Sequence, residues 1–190
     1  MRKQGLLFVV SAPSGAGKTT LSKTLLKSLP NIYFSVSVTT RQPRKDEVYG
    51  KDYFFTTKEE FRKKIRKKEL IEWAKVHDQW YGTPKKFIKE SLAKGRDVIL
   101  DIDVQGGIQV KKIYSRAVLI FIIPPSFEVL ETRLRKRSLN DEIEIERRLQ
   151  NACQEMKKMK EYDYIVVNDK IPKAVNQLKN IINNERLKNK

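Results

Sequence analysis

The sequence predicts an α/β fold in which helices flank a parallel sheet of five strands, and three observations support this prediction. Short apolar runs alternate along the chain with segments of helical periodicity, the order expected when parallel strands are joined by helical crossovers. The chain of 190 residues, with a hydrophobic share of 39%, is long enough for one domain with a substantial core. Its first apolar run, residues 6–10, leads directly into a glycine-rich loop and then a helix. We therefore expect a single α/β domain with inserted subregions.

The helices are assigned from apolar residues that recur on one face and from the residues that end each pattern. In residues 20–29, Leu21, Leu25 and Leu26 share a face, and Pro30 ends the helix. Further helical segments are predicted over residues 58–68, 84–94, a stretch through 112 that follows a bend at 105–107, 127–136, 141–162 and 171–187.

The strands of the parallel sheet are predicted near residues 6, 34, 98, 118 and 165. Residues 33–39 alternate between apolar and polar side chains, whereas 97–102 and 117–123 are mostly apolar runs typical of buried strands. A further short strand, 70–76, belongs to a polar region over about 35–95, which is inserted between the second and third strands of the sheet. That insertion is the natural place for a second substrate to bind.

The glycine-rich loop lies in residues 11–20, which read Ser-Ala-Pro-Ser-Gly-Ala-Gly-Lys-Thr-Thr. A strand, this loop, Lys-Thr and a helix in that order form the layout of a P-loop. Gly15 and Gly17 allow backbone N–H groups to surround a phosphate, and the following helix directs the positive end of its dipole toward it. Lys18 adds a charge for the β- and γ-phosphates, and the Thr19 hydroxyl is placed to hold Mg²⁺.

One position departs from the P-loop pattern, because Ala12 stands where the first glycine is expected. Alanine is small, so we expect it to be tolerated. A plain glycine-rich turn between a strand and a helix is the alternative, but the order of the parts favours binding of a nucleoside triphosphate. The residues expected to bind it are Ala12, Pro13, Ser14, Gly15, Ala16, Gly17, Lys18, Thr19 and Thr20.

The chain is strongly basic, with a net charge of +17 from 40 Lys and Arg against 23 Asp and Glu. Three interpretations are open: attraction for small phosphorylated substrates, nucleic-acid binding, and a lysine-rich solvated surface. In helical segments the lysines recur on all sides without interleaved aromatic residues, which argues against nucleic acid as the main ligand.

Targeting and membrane segments are not expected. Residues 6–10 are too short for the apolar region of a secretory signal, and no run approaches the roughly eighteen apolar residues of a membrane span. Cys153 is the sole cysteine, so no intramolecular disulfide can form. These features are typical of a cytoplasmic protein.

A second group of residues with phosphate-binding chemistry lies in residues 39–55. Arg41 and Arg44 are three residues apart, and Tyr53 follows nine residues later. Two guanidinium groups can bind one phosphate in a bidentate manner, and the phenol adds a donor. A solvated charged loop is the alternative reading of the arginines alone.

In full, this segment resembles the signature of the guanylate kinase family, T-[ST]-R-x-x-[KR] followed by an acid, a glycine and Tyr-x-Phe. Asp46 stands where family members often have glycine. The resemblance continues through five more blocks and covers essentially the whole chain; the blocks are residues 71–73, 81–83, 99–106, 123–126 and 164–169. It implies a P-loop NTPase-type fold with a core over about 1–34, 96–132 and 149–190, a GMP-binding insertion over about 35–95, and a helical lid over about 133–148.

The resemblance also implies roles for individual residues. Those implied to hold the GMP phosphate are Arg41, Arg44, Tyr53 and Tyr81, and those implied to recognise guanine are Ser37, Glu72, Thr83 and Asp103. Base chemistry agrees with this, because the N1–H and N2 amino groups of guanine are donors that the carboxylates of Glu72 and Asp103 can accept, whereas adenine offers a bare N1 acceptor there.

Asp101 resembles the carboxylate that organises Mg²⁺ and its waters together with Thr19, although Asp101 and Asp103 also fit simple capping at a strand end. In the lid, Arg133, Arg137 and Arg148 are implied to reach the ATP phosphates, so the implied catalytic set is Lys18, Arg41, Arg133, Arg137 and Arg148. Each lid arginine could instead pair with a nearby acid such as Glu131, Glu144 or Glu146.

The implied reaction is reversible transfer of the γ-phosphoryl group of ATP to GMP, and also to dGMP, with Mg²⁺ as cofactor. The attacking phosphate is already ionised, so no general base is required. Three alternatives remain: a related P-loop kinase for another small phosphate, a non-catalytic guanylate-kinase-like domain that binds phosphopeptides, and a nucleic-acid-dependent NTPase. The intact Gly17-Lys18-Thr19 argues against the second, and no obligatory protein partner is implied.

Overall fold

The structure, a computed structural model, describes residues 4–76, 78–136 and 142–189. Its elements in chain order are β1 (Leu7–Ser11), α1 (Lys18–Ser28), β2 (Ile32–Phe34), β3 (Ser37–Thr39), β4 (Tyr53–Phe55), α2 (Lys58–Arg66), β5 (Leu70–Val76), β6 (Gln79–Pro84), α3 (Lys85–Ala93), β7 (Asp97–Asp101), α4 (Val104–Ile113), β8 (Val118–Ile123), α5 (Phe127–Arg135), α6 (Glu142–Lys157), a 3-10 turn (Lys158–Glu161), β9 (Tyr164–Val167) and α7 (Ile171–Lys188).

The central sheet has five parallel strands in the order β2-β7-β1-β8-β9. The predicted parallel α/β sheet and the positions of its strands are therefore confirmed. Helices cover both faces, and every residue of β1 is buried. One core cluster includes Phe8 and Ile120, and the other includes Val9 and Leu119, so neighbouring residues of one strand belong to opposite faces.

The inserted region forms a second, four-stranded sheet in the order β4-β3-β6-β5. The prediction of one strand over 33–39 is wrong, because the chain leaves the central sheet after Phe34 and enters the second sheet at Ser37. The Ser35 N–H still donates to the Ile99 carbonyl of the central sheet at 3.1 Å, and the chain crosses between the sheets directly after it. Strands β4 and β6 were not predicted, because β4 is three residues long and β6 contains Gly82 and Pro84.

Helix α4 also differs from the prediction of a bend at residues 105–107. The helix begins at Val104 because the Asp103 side chain accepts hydrogen bonds from the N–H groups of Gln105 and Gly106, at 2.7 and 3.0 Å. The two glycines allow side chains of neighbouring elements to pack closely against the helix. A methyl group at Gly106 would lie 2.5 Å from Glu72 Oε2, and one at Gly107 would lie 2.5 Å from Tyr162 Oη.

This arrangement brings the predicted functional segments to one edge of the central sheet. The glycine-rich loop follows β1, the segment 101–103 follows β7, and Asn168 follows β9, all at the carboxyl ends of parallel strands, where ligands bind in open α/β sheets. The second sheet contacts the core mainly where β5 lies beside α4. Among the described residues, no helix is long and apolar enough to cross a membrane.

Candidate active site

The glycine-rich loop has the backbone geometry of a phosphate cradle. Gly15 and Gly17 have φ angles of +90° and +88°, which residues with a side chain rarely adopt. Gly17 caps α1 without a side-chain hydrogen bond, so the N-terminus of the helix is presented to the loop. Ala12 is buried and has no positive φ, and its methyl group is therefore accommodated without backbone strain.

Asn168 supports this loop from the end of β9. Its buried side-chain amide donates to the carbonyl of Ala16 at 2.7 Å. A methyl group at Gly17 would collide with the Asn168 Nδ2 atom, which gives a second reason for glycine there. The strand-end position of Asn168 was the one sequence signal for this contact, which spans 152 positions of the chain.

Lys18 connects the loop to the end of β7. Its Nζ atom lies 2.6 Å from Asp101 Oδ1 and donates to the Ile102 carbonyl at 2.7 Å. Thr19 is exposed in the first turn of α1. A cation paired with a carboxylate and, in the next position, an exposed threonine thus lie at the N-terminus of a helix. This is the chemistry needed for the terminal phosphates of a nucleotide.

The carboxyl groups of Glu72 and Asp103 both lie beside Gly106 in the first turn of α4. Glu72 of β5 is buried and accepts a hydrogen bond from Thr83 Oγ1 at 2.5 Å. Burial raises the pKa of Glu72 to about 7; the Thr83 bond opposes this rise, and the charge of Asp103 adds to it. Ser37 of β3 is also buried. The arrangement provides hydrogen-bond acceptors from a buried carboxyl group, Glu72, and a half-buried one, Asp103.

A third cluster contains Arg41, Tyr53 and Tyr81. The guanidinium carbon of Arg41 lies 5.4 Å from the centroid of the Tyr53 ring, and the rings of Tyr53 and Tyr81 are 6.0 Å apart. Glu47 accepts two hydrogen bonds from Arg41 Nη2, at 2.7 and 2.9 Å, and one from the backbone N–H of Arg44 at 2.8 Å. Bonding to Arg41 lowers the pKa of Glu47, which therefore holds both arginine positions as a carboxylate.

The lid arginines are described for two of the three predicted positions, because Arg137 lies outside the described residues. Arg133 of α5 donates to the Asn168 carbonyl at 3.1 Å, and within the described part of the chain its buried Nη1 atom has no hydrogen-bond partner. Arg148 of α6 lies 3.8 Å from Glu144, the pairing anticipated as an alternative. Arg133 thus reaches the residue that supports the phosphate loop.

Glu155 of α6 is a site residue that sequence reasoning missed. Burial raises the pKa of Glu155 to about 7, and a hydrogen bond from the backbone of Ser14 opposes this rise. Helix α6 therefore brings a carboxyl group to the phosphate loop. A glutamate in an otherwise amphipathic helix carries no local signal of such a contact.

The residues present suit Mg²⁺ held together with a substrate. Among the described residues there is no group of three or more Asp, Glu, His or Cys side chains that could enclose a metal ion. Mg²⁺ commonly uses one or two protein oxygens, several waters and the phosphates of a nucleotide. Asp101 and Thr19 offer two such oxygens beside the phosphate loop, so the donor set fits.

Comparisons with known proteins point to one family. Residues 4–185 match the sequence model of the family described as guanylate kinase. A guanylate kinase of Caldanaerobacter subterraneus subsp. tengcongensis is 47% identical over 182 residues, which cover 96% of this chain and 88% of that protein. One from Thermotoga maritima is 49% identical over 185 residues, which cover 97% and 89% of the two chains. The crystal structure of guanylate kinase from Anaplasma phagocytophilum has a TM-score of 0.81 and 36% identity, and the match covers 97% of this chain and 88% of that chain.

Proposed function

The chain belongs to the guanylate kinase family, and we propose from this membership how its own residues bring about the transfer of a phosphoryl group from ATP to GMP. The protein is an ATP:GMP phosphotransferase, a nucleoside monophosphate kinase whose substrates are ATP and GMP. The observation that carries the assignment of residues is the buried Glu72 of β5, which packs against the first turn of α4. Asp103 caps this helix, next to the Ile102 carbonyl that accepts from Lys18.

Guanine is recognised by the two carboxyl groups. In the described contacts Glu72 uses Oε1 to accept from Thr83, and Asp103 uses Oδ1 to cap α4. Their Oε2 and Oδ2 atoms are available to accept from the N1–H and N2 amino groups of the base. Adenine, with a bare N1, would leave the buried Glu72 acceptor without a donor at that position, at a cost of about 1–3 kcal/mol. Ser37 and Thr83 complete the base site.

The GMP phosphate is held by Arg41, Arg44, Tyr53 and Tyr81. The pairing of Arg41 with Glu47 fixes the guanidinium beside the two phenol rings, so little side-chain freedom is lost when the phosphate arrives. None of the proposed contacts involves the 2′-hydroxyl of the ribose. We therefore include dGMP among the acceptors.

The ATP phosphates are held by the loop from Ala12 to Thr20 and by Lys18. Asp101 and Thr19 would hold Mg²⁺, which supplies positive charge beside the β- and γ-phosphates when it is bound. For Lys18 to reach those phosphates, its bond to Asp101 must be exchanged for a bond to the nucleotide. Arg133 and Arg148, with Arg137 from the lid, add the remaining positive charge.

The chemical step needs placement and charge neutralisation. An ionised phosphate oxygen of GMP forms a bond to the γ-phosphorus as the bond between that phosphorus and the β,γ-bridging oxygen breaks, and the electron pair remains on ADP. No side chain must remove a proton. Closure of the inserted region 35–95 and of the lid 133–148 over the substrates excludes water that would otherwise hydrolyse ATP. The lone Cys153 agrees with a cytoplasmic location for this reaction.

The experiment that tests this function measures ADP formation from ATP and Mg²⁺ with GMP, AMP, CMP, UMP or no acceptor. We expect ADP formation that depends on GMP, with the other acceptors near background. Preference for another acceptor would remove Glu72 and Asp103 from the base site. Failure to turn over any acceptor would favour a binding domain instead.

A further inference from the structure

A side chain of the core takes the place of a neighbouring strand at the edge of the inserted sheet. Strand β5 is the last strand of that sheet, with β6 on its only paired side. The Gln109 side chain, from α4 of the core, donates from Nε2 to the Trp73 carbonyl at 3.0 Å and accepts from the Trp73 N–H at 3.3 Å. One amide group thus satisfies both backbone groups of a strand residue, which is what a paired strand would do.

The bonded residue is adjacent to a proposed guanine-binding carboxylate. Trp73 directly follows Glu72, whereas the second carboxylate, Asp103, caps the N-terminus of α4. Glu72 therefore belongs to the second sheet and Asp103 to the cap of a core helix, and α4 is the element that connects them. Gln109 lies on the same helix as the Asp103 cap, six positions further along the chain.

Close packing beside this bond prevents β5 from moving closer to α4. Glu72 Oε2 lies so near the first turn of α4 that a methyl group at Gly106 would come within 2.5 Å of it. This contact limits how closely β5 can approach the helix, but it cannot prevent β5 from moving away. The paired hydrogen bonds of Gln109 act against movement in that second direction.

We propose that Gln109 is a positioning residue for guanine recognition, which holds β5 against α4 at the separation where Glu72 and Asp103 bind the guanine edge together. The inference rests on the proposed function in one respect, the assignment of these two carboxylates to the base. Both hydrogen bonds are near the surface, so water can replace them when the side chain is removed. The loss of Gln109 therefore acts on the geometry of recognition more than on stability.

The test compares two acceptors in the variant Gln109→Met, which keeps the length of the side chain and removes both hydrogen bonds. The acceptors are GMP and inosine monophosphate, whose base has N1–H but lacks the 2-amino group. Only GMP benefits when both carboxylates are correctly spaced, so we expect kcat/KM for GMP to fall about five- to tenfold and that for inosine monophosphate less than about twofold. The selectivity between the two acceptors should narrow accordingly, with kcat/KM for ATP at saturating GMP unchanged.

Two further variants make the result decisive. Gln177→Met, on the exposed side of α7, is the matched control and should leave the selectivity at its wild-type value. Glu72→Gln tests the underlying assignment: if it leaves the selectivity unchanged, the proposed base site fails and not only the role of Gln109. If Glu72→Gln reduces selectivity while Gln109→Met does not, the role of Gln109 is overturned.

Amide hydrogen exchange provides a structural readout. The Trp73 N–H should exchange faster in Gln109→Met, because its acceptor is gone, while amides of the central sheet stay protected. Unchanged exchange at Trp73 would contradict the proposed contact, and faster exchange with unchanged selectivity would contradict its role. Should Gln109→Met fail to fold, Gln109→Glu keeps the acceptor for Trp73 but removes the donor, and the same loss of selectivity is expected.

Discussion

Glu72 and Lys18 show how single residues prepare the site for charged and polar ligands. Glu72 is a carboxyl group buried among its neighbours, with a pKa raised to about 7 mainly by that burial. Lys18 is a cation held by Asp101 and by a backbone carbonyl. Each residue has a partner in the protein and a proposed second role toward a ligand. Substitutions of Glu72 and Lys18 can therefore be tested for their effects on stability and on substrate binding separately.

The first prediction concerns the pH dependence of stability. Because the folded pKa of Glu72 lies above its ordinary value of 4.5, the folded state binds this proton more tightly, and its contribution to stability is present below about pH 4.5 and lost as the pH rises through about 7. Glu72→Gln removes that loss. We expect the free energy of unfolding of the variant, minus that of wild type, to increase by on the order of 2 kcal/mol from pH 5 to pH 8. Chemical denaturation at both pH values measures this difference.

Glu72→Gln should also weaken the binding of GMP, because the amide nitrogen of glutamine cannot accept a hydrogen bond from the N1–H or N2 amino group of guanine. The KM for GMP is expected to rise about ten- to hundredfold at pH 8, with little change in the KM for ATP. A KM for GMP equal to that of wild type would exclude Glu72 from the base site, whatever its effect on stability.

The second prediction concerns Lys18→Ala. We expect kcat to fall by at least about 10²-fold, because a fixed cation beside the transferred phosphoryl group is lost. The fold should persist, since Lys18 is the first residue of α1 and belongs to none of the hydrophobic core clusters, so its loss removes the contacts to Asp101 and Ile102 but no core packing. Circular dichroism and thermal unfolding check the fold, and steady-state kinetics check turnover. Activity near that of wild type in a folded variant would contradict the proposed role.

At the scale of elements, α4 connects the two substrate regions. Its cap is Asp103, a residue of the proposed base site, its first turn lies against Glu72 at Gly106, and its middle is hydrogen-bonded to β5 through Gln109. Two adjacent glycines within a helix are unfavourable by about 1 kcal/mol each relative to alanine. Their presence in α4 is explained by what lies against them, namely Glu72 and Tyr162.

The third prediction follows from this packing. Gly106→Ala should displace Glu72, because the new methyl group would lie 2.5 Å from Oε2 and 3.1 Å from Cδ. We expect the KM for GMP to rise about tenfold, while helix propensity offsets much of the cost to stability. Kinetics with GMP and ATP varied separately test this, and the KM for ATP is the internal control. Equal increases in both KM values would indicate general damage and contradict the specific role of the contact.

At the scale of the whole molecule, the two sheets have few connections. The second sheet meets the core where β5 lies along α4, and through an exposed pair in which Lys23 Nζ of α1 lies 3.3 Å from Asp52 Oδ1. Exposed ion pairs of this kind contribute little to stability. The second sheet can therefore move relative to the core while each sheet stays intact, whereas α3, whose Ile88 and Leu92 are buried in the core cluster beside β7, belongs to the core. The net charge of +17 favours the approach of anionic substrates.

The fourth prediction is that the molecule closes on its substrates. Small-angle X-ray scattering should show a smaller radius of gyration with GMP and a non-hydrolysable ATP analogue together than without ligand. GMP alone should produce part of the change, since most residues of its proposed site belong to the inserted region. An unchanged radius with both ligands present would contradict closure.

Local sequence patterns were sufficient to predict much of the fold of this protein and its family. The P-loop, the five parallel strands and most helix boundaries depend on residues close together in the chain, such as Pro30 after α1 or the two prolines after β8. The same holds for the family, whose signature motifs are contiguous. The predicted catalytic and binding residues are likewise read from short motifs, and their individual roles stay predictions until the variants are measured.

The tertiary structure decided what depends on distant partners. The break between β2 and β3 arises because one segment pairs with two different sheets, and α4 starts early because Asp103 caps it. Contacts such as Asn168 to Ala16 and Gln109 to Trp73 join residues that are 152 and 36 positions apart, and an asparagine or glutamine carries no sign of its partner in its own neighbourhood. Hydrogen bonds of this range form only once the strands are placed, because folding and not local preference brings the two groups within reach.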